Sequence, residues 1–338
     1  MEGTGSIMRK SAAIIGVNGQ DGAWLSEHLL NNDYEVYGVS RRGSTDKMWR
    51  LRFLDVLSNS RFHSVSGDIT DSSFMSRFIA ENQFDEVYNV AAQSHVGESF
   101  KVPVATCEIN FMGVLHILEA IRTYSPKTRF YQASTSEMLG RANWNEEFLM
   151  DEETSFYPRS PYGVAKVASH YMVQNYREAY NLFGCCGILF NHEGELRQET
   201  FVTSKICKGA VDIYLGNEDK LGLGNLEAKR DWGHAKDYVK AMHLMLQQDE
   251  PEDFVIGTGE TRTVREFCKV AFGYLGLDYS KYVYEDPDFY RPADVGCLIA
   301  NNAKAQQKLG WKPEIGFEML VSQMCSFWLD KLSKRSVR

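Results

Sequence analysis

Short apolar runs alternate with stretches of helical period from residue 11 to about residue 190. "SAAIIGV", "YEVYGVS", "RFHSVSGD", "DEVYNVAA" and "TRFYQAS" have the length and composition of strands. Between them, "AWLSEHLLNN" and "VATCEINFMGVLHILEAIRTY" place apolar residues three and four apart, as one face of a helix requires. This rhythm predicts an α/β fold: a mostly parallel, doubly wound sheet with helices on both faces. Beyond residue 190 the rhythm breaks into a polar, Gly-rich segment with basic patches, before the helix "AKDYVKAMHLMLQQ" and the strand "DFVIGTG" resume it. The expected organisation is a sheet domain from 9–190 plus 230–258 and a smaller, interleaved C-terminal lobe from 191–229 plus 259–330.

Composition narrows the class without naming a reaction. The 338 residues are 43% hydrophobic and 24% charged, enough for one large or two closely joined domains. No apolar run approaches the ~18 residues that a membrane span needs, and the start "MEGTGSIMRK" lacks the apolar core of a signal peptide. A net charge of −8 argues against a surface that coats nucleic acid. Cys107, Cys185, Cys186, Cys207, Cys268, Cys297 and Cys325 are scattered, without zinc-ligand spacing. Reduced thiols in a cytoplasmic protein are expected, and no metal is implied.

The first strand runs into "GVNGQDG", with Gly16, Gly19 and Gly22 evenly spaced and a helical stretch behind them. Glycines there allow a tight turn and let a diphosphate approach the backbone at the helix's positive end, beside Gln20 and Asp21. Strand before and helix after make this the dinucleotide turn of a Rossmann-type domain. About twenty residues on, where an acid usually meets the adenine ribose, stand Ser40, Arg41 and Arg42. Forked guanidinium donors suit a 2′-phosphate, so NADP is the expected cofactor with Arg41 as a ligand; a solvated basic turn is the plainer alternative. "GDIT" puts Asp68 and Ile69 at the third strand's end near the adenine. "NVAAQS" puts Ala91 and Ser94 where the cofactor would cross the sheet, with Ser94 also near the substrate.

Two further stretches carry chemistry. In "ASTSEMLG", Thr135 and Glu137 stand two apart at the end of a strand, which would place both on one face where ligands bind in open α/β sheets. The plainer reading is a turn whose Ser, Thr and Glu satisfy backbone donors. In "YPRSPYGVAKVA", Tyr162 and Lys166 are four apart and share a helix face. A nearby ammonium favours phenolate, so Tyr162 is expected to have a lowered pKa and to act as a base.

A dinucleotide turn, a threonine at the fifth strand's end and Tyr-x-x-x-Lys on the next helix resemble the extended short-chain dehydrogenase/reductase family. Within it, "GQDG", "SRRGSTDKMWRL", "AAQSHV", "FYQASTSEM", "FYPRSPYGVAK", "FNHE", "LGNLEAKRDWGHAKDYV" and "YRPADV", in this order, resemble the GDP-mannose 4,6-dehydratases. That resemblance implies an NADP-dependent lyase with Thr135, Glu137, Tyr162 and Lys166 as catalytic residues and Lys166 also on the cofactor. It implies that His192 and Arg197 contact the cofactor, that Asn191 lies beside the substrate, and that Lys205, Arg230 and Arg291 hold the diphosphate of a GDP-sugar. A core histidine bonded to backbone is the plainer reading of His192. The resemblance further implies a homo-oligomer, dimer or tetramer, in which "RRGSTDKMWRL" reaches a neighbour's cofactor site; neither nucleic acid nor membrane is an expected partner.

The chain departs from that family in places. "NHEGELRQ" has Gly194 and Glu195 where Ser-Pro is usual and Gln198 where Gly is usual; "VTSK" has Ser204 in place of a basic residue. "RPADVG" carries Asp294 and Gly296, and a few extra residues separate Glu137 from Tyr162. These changes leave the sugar open between GDP-mannose and a relative such as a GDP-heptose. A nucleotide-sugar 4-oxidoreductase or epimerase would stop at the ketone and have no use for Glu137.

Overall fold

The computed structural model describes residues 9–43, 46–140, 148–289 and 297–334. Seven parallel strands form the main sheet: β1 Ser11–Ile15, β2 Glu35–Ser40, β3 Phe62–Ser66, β4 Glu86–Asn89, β5 Arg129–Thr135, β6 Gly184–Leu189 and β7 Phe254–Ile256. Their spatial order is β7-β6-β5-β4-β1-β2-β3. The order reverses between β1 and β4, so the crevice for a ligand opens at their carboxyl ends, after Ile15 and Asn89.

Alternation within β1 shows how the sheet is buried on both sides. Ala12 and Ile14 pack with Leu25, Leu29, Tyr238 and Met242 of α1 (Gln20–Asn31) and α6 (Ala235–Met245). Ala13 and Ile15 face the other way, among Met75 and Ile79 of α2 (Ser72–Asn82) and Ile117 and Ile121 of α3 (Pro103–Tyr124). By length and composition α3 would pass for a membrane span, although Glu108, Asn110 and His116 interrupt its apolar residues. Its buried side is committed to the sheet, as in a core helix. A π-helical turn, Glu108–Met112, lies within it. On the same side, α4 (Pro161–Tyr180) buries Val173 and Tyr176.

A second core gathers α5 (Val202–Tyr214), α7 (Val264–Tyr274) and α8 (Phe317–Ser333), with Ile206, Phe267, Trp232, Met324 and Trp328 inside it. Ala305, Leu309 and Trp311 pack with the sheet-side core. Short strands stitch the two cores together: Asn191–Glu193 pairs in parallel with Trp232–His234, and Lys229–Arg230 pairs antiparallel with Arg262–Thr263. Cys107, Cys185, Cys186, Cys207, Cys268 and Cys325 are thiols, all but Cys107 buried.

Candidate active site

The turn after β1 is built by close backbone approach. Gly16 has φ +95°, and a Cβ on it would lie 2.7 Å from the Cα of Ala91 at the end of β4. A Cβ on Gly22 would lie 2.5 Å from the Gly16 carbonyl oxygen, which accepts the Gly19 N–H at 3.1 Å. Gly19 offers α1 no side-chain cap, so the helix keeps N-terminal N–H groups for a ligand. The buried Gln20 Oε1 takes no hydrogen bond among the described residues. These features fit a dinucleotide diphosphate.

Past β2, an open basic pocket of roughly 540 Å³ is lined by Arg41, Arg42, Lys47, Ser66, Gly67 and Asp68. Three cations around one open pocket suit a phosphorylated ribose. Asp68 Oδ1 accepts from the Thr70 N–H at 3.0 Å and the Thr70 hydroxyl at 2.8 Å, shaping the turn after β3. Ile69 is buried against Gly113 of α3, Ala91 sits over Gly16, and Ser94 is exposed in the following loop. That loop is held by Asn110 in the π-helical turn, whose side chain accepts the Gln93 N–H at 2.9 Å and donates to the Gln93 carbonyl at 3.0 Å.

The expected catalytic residues meet where β5 runs against the start of α4. Thr135 ends the strand, and Ser136–Met138 is a 3₁₀ turn. Glu137 thus reaches the site through a turn, a correction to the expectation that it shares a strand face with Thr135. Its N–H donates to Thr135 Oγ1 at 3.2 Å. Helix α4 begins with Ser160 capping the Gly163 N–H at 3.0 Å and Pro161 in the first turn. Gly163 lets that turn press onto β5's end: a Cβ there would stand 2.9 Å from the Glu137 carbonyl oxygen. Tyr162 and Lys166 are both buried on α4, and the Thr135 side chain acts on Tyr162 by favouring its ionised form.

Electrostatics at Tyr162 differ from the expectation. Burial pushes its pKa up, Glu137 and Asp21 push the same way, and Thr135 and Arg197 only partly offset them. Lys166 Nζ lies 5.9 Å from the Tyr162 ring centroid and donates to the Ala133 carbonyl at 2.7 Å. Burial brings Lys166 down to about 8.

The segment after β6 closes over the dinucleotide turn. His192 Nε2 lies 2.8 Å from Asp21 Oδ2, and the Gln20 amide donates to the His192 carbonyl at 3.0 Å. Arg197 pairs with Glu193 at 2.9 Å and lies over the Phe201 ring. Arg50, which the sequence did not single out, donates to the Asn18 carbonyl at 3.1 Å and the Leu196 carbonyl at 2.7 Å, bridging turn and segment. Lys47 and Asn110 were likewise missed; only Lys47 had a signal, as a third cation in the run after Arg41.

The residues expected to hold the substrate are more scattered. Asn191 is half-buried on its short strand, alongside Trp232. Arg230 is buried, with Nη1 donating to the Lys229 carbonyl at 2.7 Å. Lys205 donates to the Gly222 carbonyl at 2.8 Å and lies 3.3 Å from the Phe289 ring centroid. Arg291, Asp294 and Gly296 lie outside the described residues. Two departures have structural partners. Glu195 accepts from His234 Nε2 at 3.1 Å. Ser204 Oγ donates to the Arg197 carbonyl at 3.2 Å and accepts from Trp328 Nε1 at 3.2 Å.

The GDP-mannose 4,6 dehydratase family profile matches residues 13–324. The chain belongs to this family. It is 47% identical over 335 residues to GDP-mannose 4,6 dehydratase 2 of Arabidopsis thaliana, covering 97% of this chain and 88% of that protein. It is 45% identical over 341 residues to the Homo sapiens GDP-mannose 4,6 dehydratase, covering 94% and 90%. Among solved structures, the UDP-glucose 4-epimerase of Thermotoga maritima with UDP-glucose superposes with TM-score 0.84 at 25% identity over 95% of this chain and 99% of that one. The dTDP-glucose 4,6-dehydratase of Bacillus anthracis in complex with NAD gives TM-score 0.83 at 20% identity over 97% and 100%, which speaks to fold.

Proposed function

We propose that this member of the dehydratase family converts GDP-mannose to GDP-4-keto-6-deoxymannose with NADP as its resident cofactor. The observation that carries the reading is the junction of β5 and α4, where the start of the helix bearing Tyr162 and Lys166 packs onto the turn in which the Glu137 N–H bonds Thr135, and where Thr135 and Glu137 both act on Tyr162. The 16–22 turn would hold the cofactor diphosphate, and the Arg41, Arg42 and Lys47 pocket supports a 2′-phosphate over a bare ribose.

Held by the 16–22 turn, NADP would supply a reversible hydride acceptor for carbon 4 of the sugar, with the hydride returning at carbon 6. Tyr162 takes the proton of the 4-hydroxyl, and Thr135 holds that oxygen. Lys166, as an ammonium next to the site, lowers the cost of charge on Tyr162. The ketone acidifies carbon 5, and Glu137 removes its proton and passes it to the departing 6-hydroxyl, which leaves as water. Carbon 5 then regains a proton, balancing the one taken by Tyr162. Arg230, Lys205, Asn191 and Ser94 are proposed to hold the GDP-sugar, with Arg291 beyond the described residues.

The two-lobe division, a reducing cytoplasmic setting and a homo-oligomer belong to the same proposal. Buried thiols suit the setting. Val104, Val164 and Tyr171, exposed on α3 and α4, suit an assembly face, and sedimentation of the purified chain tests it. The reaction is tested by mass spectrometry of GDP-mannose incubated with the protein and NADP. Loss of one water without net NADPH supports it. Unchanged GDP-mannose, from folded and cofactor-loaded protein, overturns that substrate and directs the assay to GDP-heptose.

A further inference from the structure

Asp21 lies in the first turn of α1, where the free N–H groups of the dinucleotide turn point. A carboxylate there favours the helix but repels an anionic ligand. The structure meets that charge from the second lobe. His192 Nε2 is 2.8 Å from Asp21 Oδ2, and His192 Nδ1 is 2.8 Å from the Phe190 carbonyl oxygen. The Phe190 carbonyl and an ionised Asp21 are both acceptors, so the pair is satisfied by a ring that carries hydrogen on both nitrogens, as an imidazolium. With both nitrogens engaged inside the protein, the ring has no N–H left to offer a ligand.

We propose that His192 serves the cofactor as counter-ion to Asp21, cancelling the carboxylate so that the diphosphate can bind the start of α1. This rests on the reading of residues 16–22 as the diphosphate turn. Burial alone would push His192 down, but Asp21 and the Phe190 carbonyl bring it above the ordinary imidazole value. Burial likewise opposes the charge on Asp21, while His192 and Arg197 hold its pKa down. Two other cations act on Asp21 through space: Arg197, itself paired with Glu193, and Arg50, whose Nε and Nη1 are oriented by the Leu196 and Asn18 carbonyls; His192 makes the direct 2.8 Å contact. The remaining groups that face the pair are Tyr238, whose ring stacks on His192 at 4.7 Å, and Tyr131, Tyr162 and Lys166, which feel the charge of Asp21.

The test is NADPH affinity, by titration of the full chain and of His192→Gln, Asp21→Asn and the double variant at neutral pH. His192→Gln is expected to weaken binding by roughly tenfold to a hundredfold, because one uncompensated charge faces the diphosphate at reduced dielectric. The double variant should recover to within a few-fold of the parent. A double variant as weak as His192→Gln, or a His192→Gln chain as tight as the parent, overturns the proposal. Should His192→Gln not fold, the pH dependence decides: parent affinity falls as pH rises through His192's titration, and Asp21→Asn flattens that fall. Equal slopes overturn the proposal. A parent chain that binds neither NADPH nor NADH sinks the cofactor reading itself, a result distinct from any pattern among the variants.

Discussion

Lys166 directs its ammonium to the Ala133 carbonyl, 2.7 Å away, and stands 5.9 Å from the centre of the Tyr162 ring. The ammonium is thereby anchored to the strand that carries Thr135. Its burial makes it costly: the ordinary lysine value of 10.5 drops to about 8. Between those two values the unfolded chain binds more protons than the folded one, so stability should rise with pH across that window. Lys166→Met removes the rise and should stabilise the fold near neutrality by up to about 3 kcal/mol while abolishing turnover. Urea unfolding of both proteins near neutral pH and near pH ~10 measures this.

Activity should show an alkaline limb for the same reason. In the proposed mechanism the Lys166 charge supports phenolate at Tyr162, so kcat/KM should fall above about 8 as that charge is lost. Lys166→Arg, permanently charged, should move the limb upward if it retains activity. A limb unmoved in an active arginine variant would detach it from Lys166.

Glu137→Gln separates dehydration from binding. The amide keeps the shape of the turn and the N–H bond to Thr135, but it cannot take the carbon 5 proton. GDP-mannose affinity should change little, and water loss should fall by ~100-fold or more. Mass spectrometry with a binding assay reads both; product at the parent rate would remove Glu137 from the mechanism.

Removing Arg41 and Arg42 together should weaken NADPH binding by ~10-fold or more and leave NADH binding nearly unchanged. The paired titration checks whether the pocket they share with Lys47 and Asp68 receives a phosphate.

Gly163→Ala puts a methyl 2.9 Å from the Glu137 carbonyl oxygen. Alanine suits a helix, so a local propensity scale predicts a gain. The contact predicts the reverse, a loss of about 1–3 kcal/mol, together with a fall in kcat as Thr135 and Tyr162 are pushed apart. Thermal unfolding and initial rates decide between them.

The sheet, its strands and the order of motifs could be read from the chain because period-two and period-3.6 patterns are local. Thr135, Tyr162 and Lys166 could be read for the same reason, since a strand end and one helix face fix them. What could not be read depends on distant segments. Arg50 matters because it spans Asn18 and Leu196, and no spacing within "KMWRL" signals that. The pKa direction of Tyr162 was missed because burial outweighs a neighbour that sequence spacing makes conspicuous. Glu195 looked like a break in a motif, but it is matched by His234 nearly forty residues later in the chain.

The π-helical turn at Glu108–Met112 carries one residue more than a regular helix needs. Deleting a residue there would repair the helix's hydrogen-bond ladder and would satisfy any criterion of ideal geometry. It would also swing Asn110 away from Gln93, and with it the support for the loop that borders the crevice. An engineer who regularised this protein would therefore gain a tidier helix and unmoor the loop after β4, because the irregular turn is what presents Asn110 to that loop.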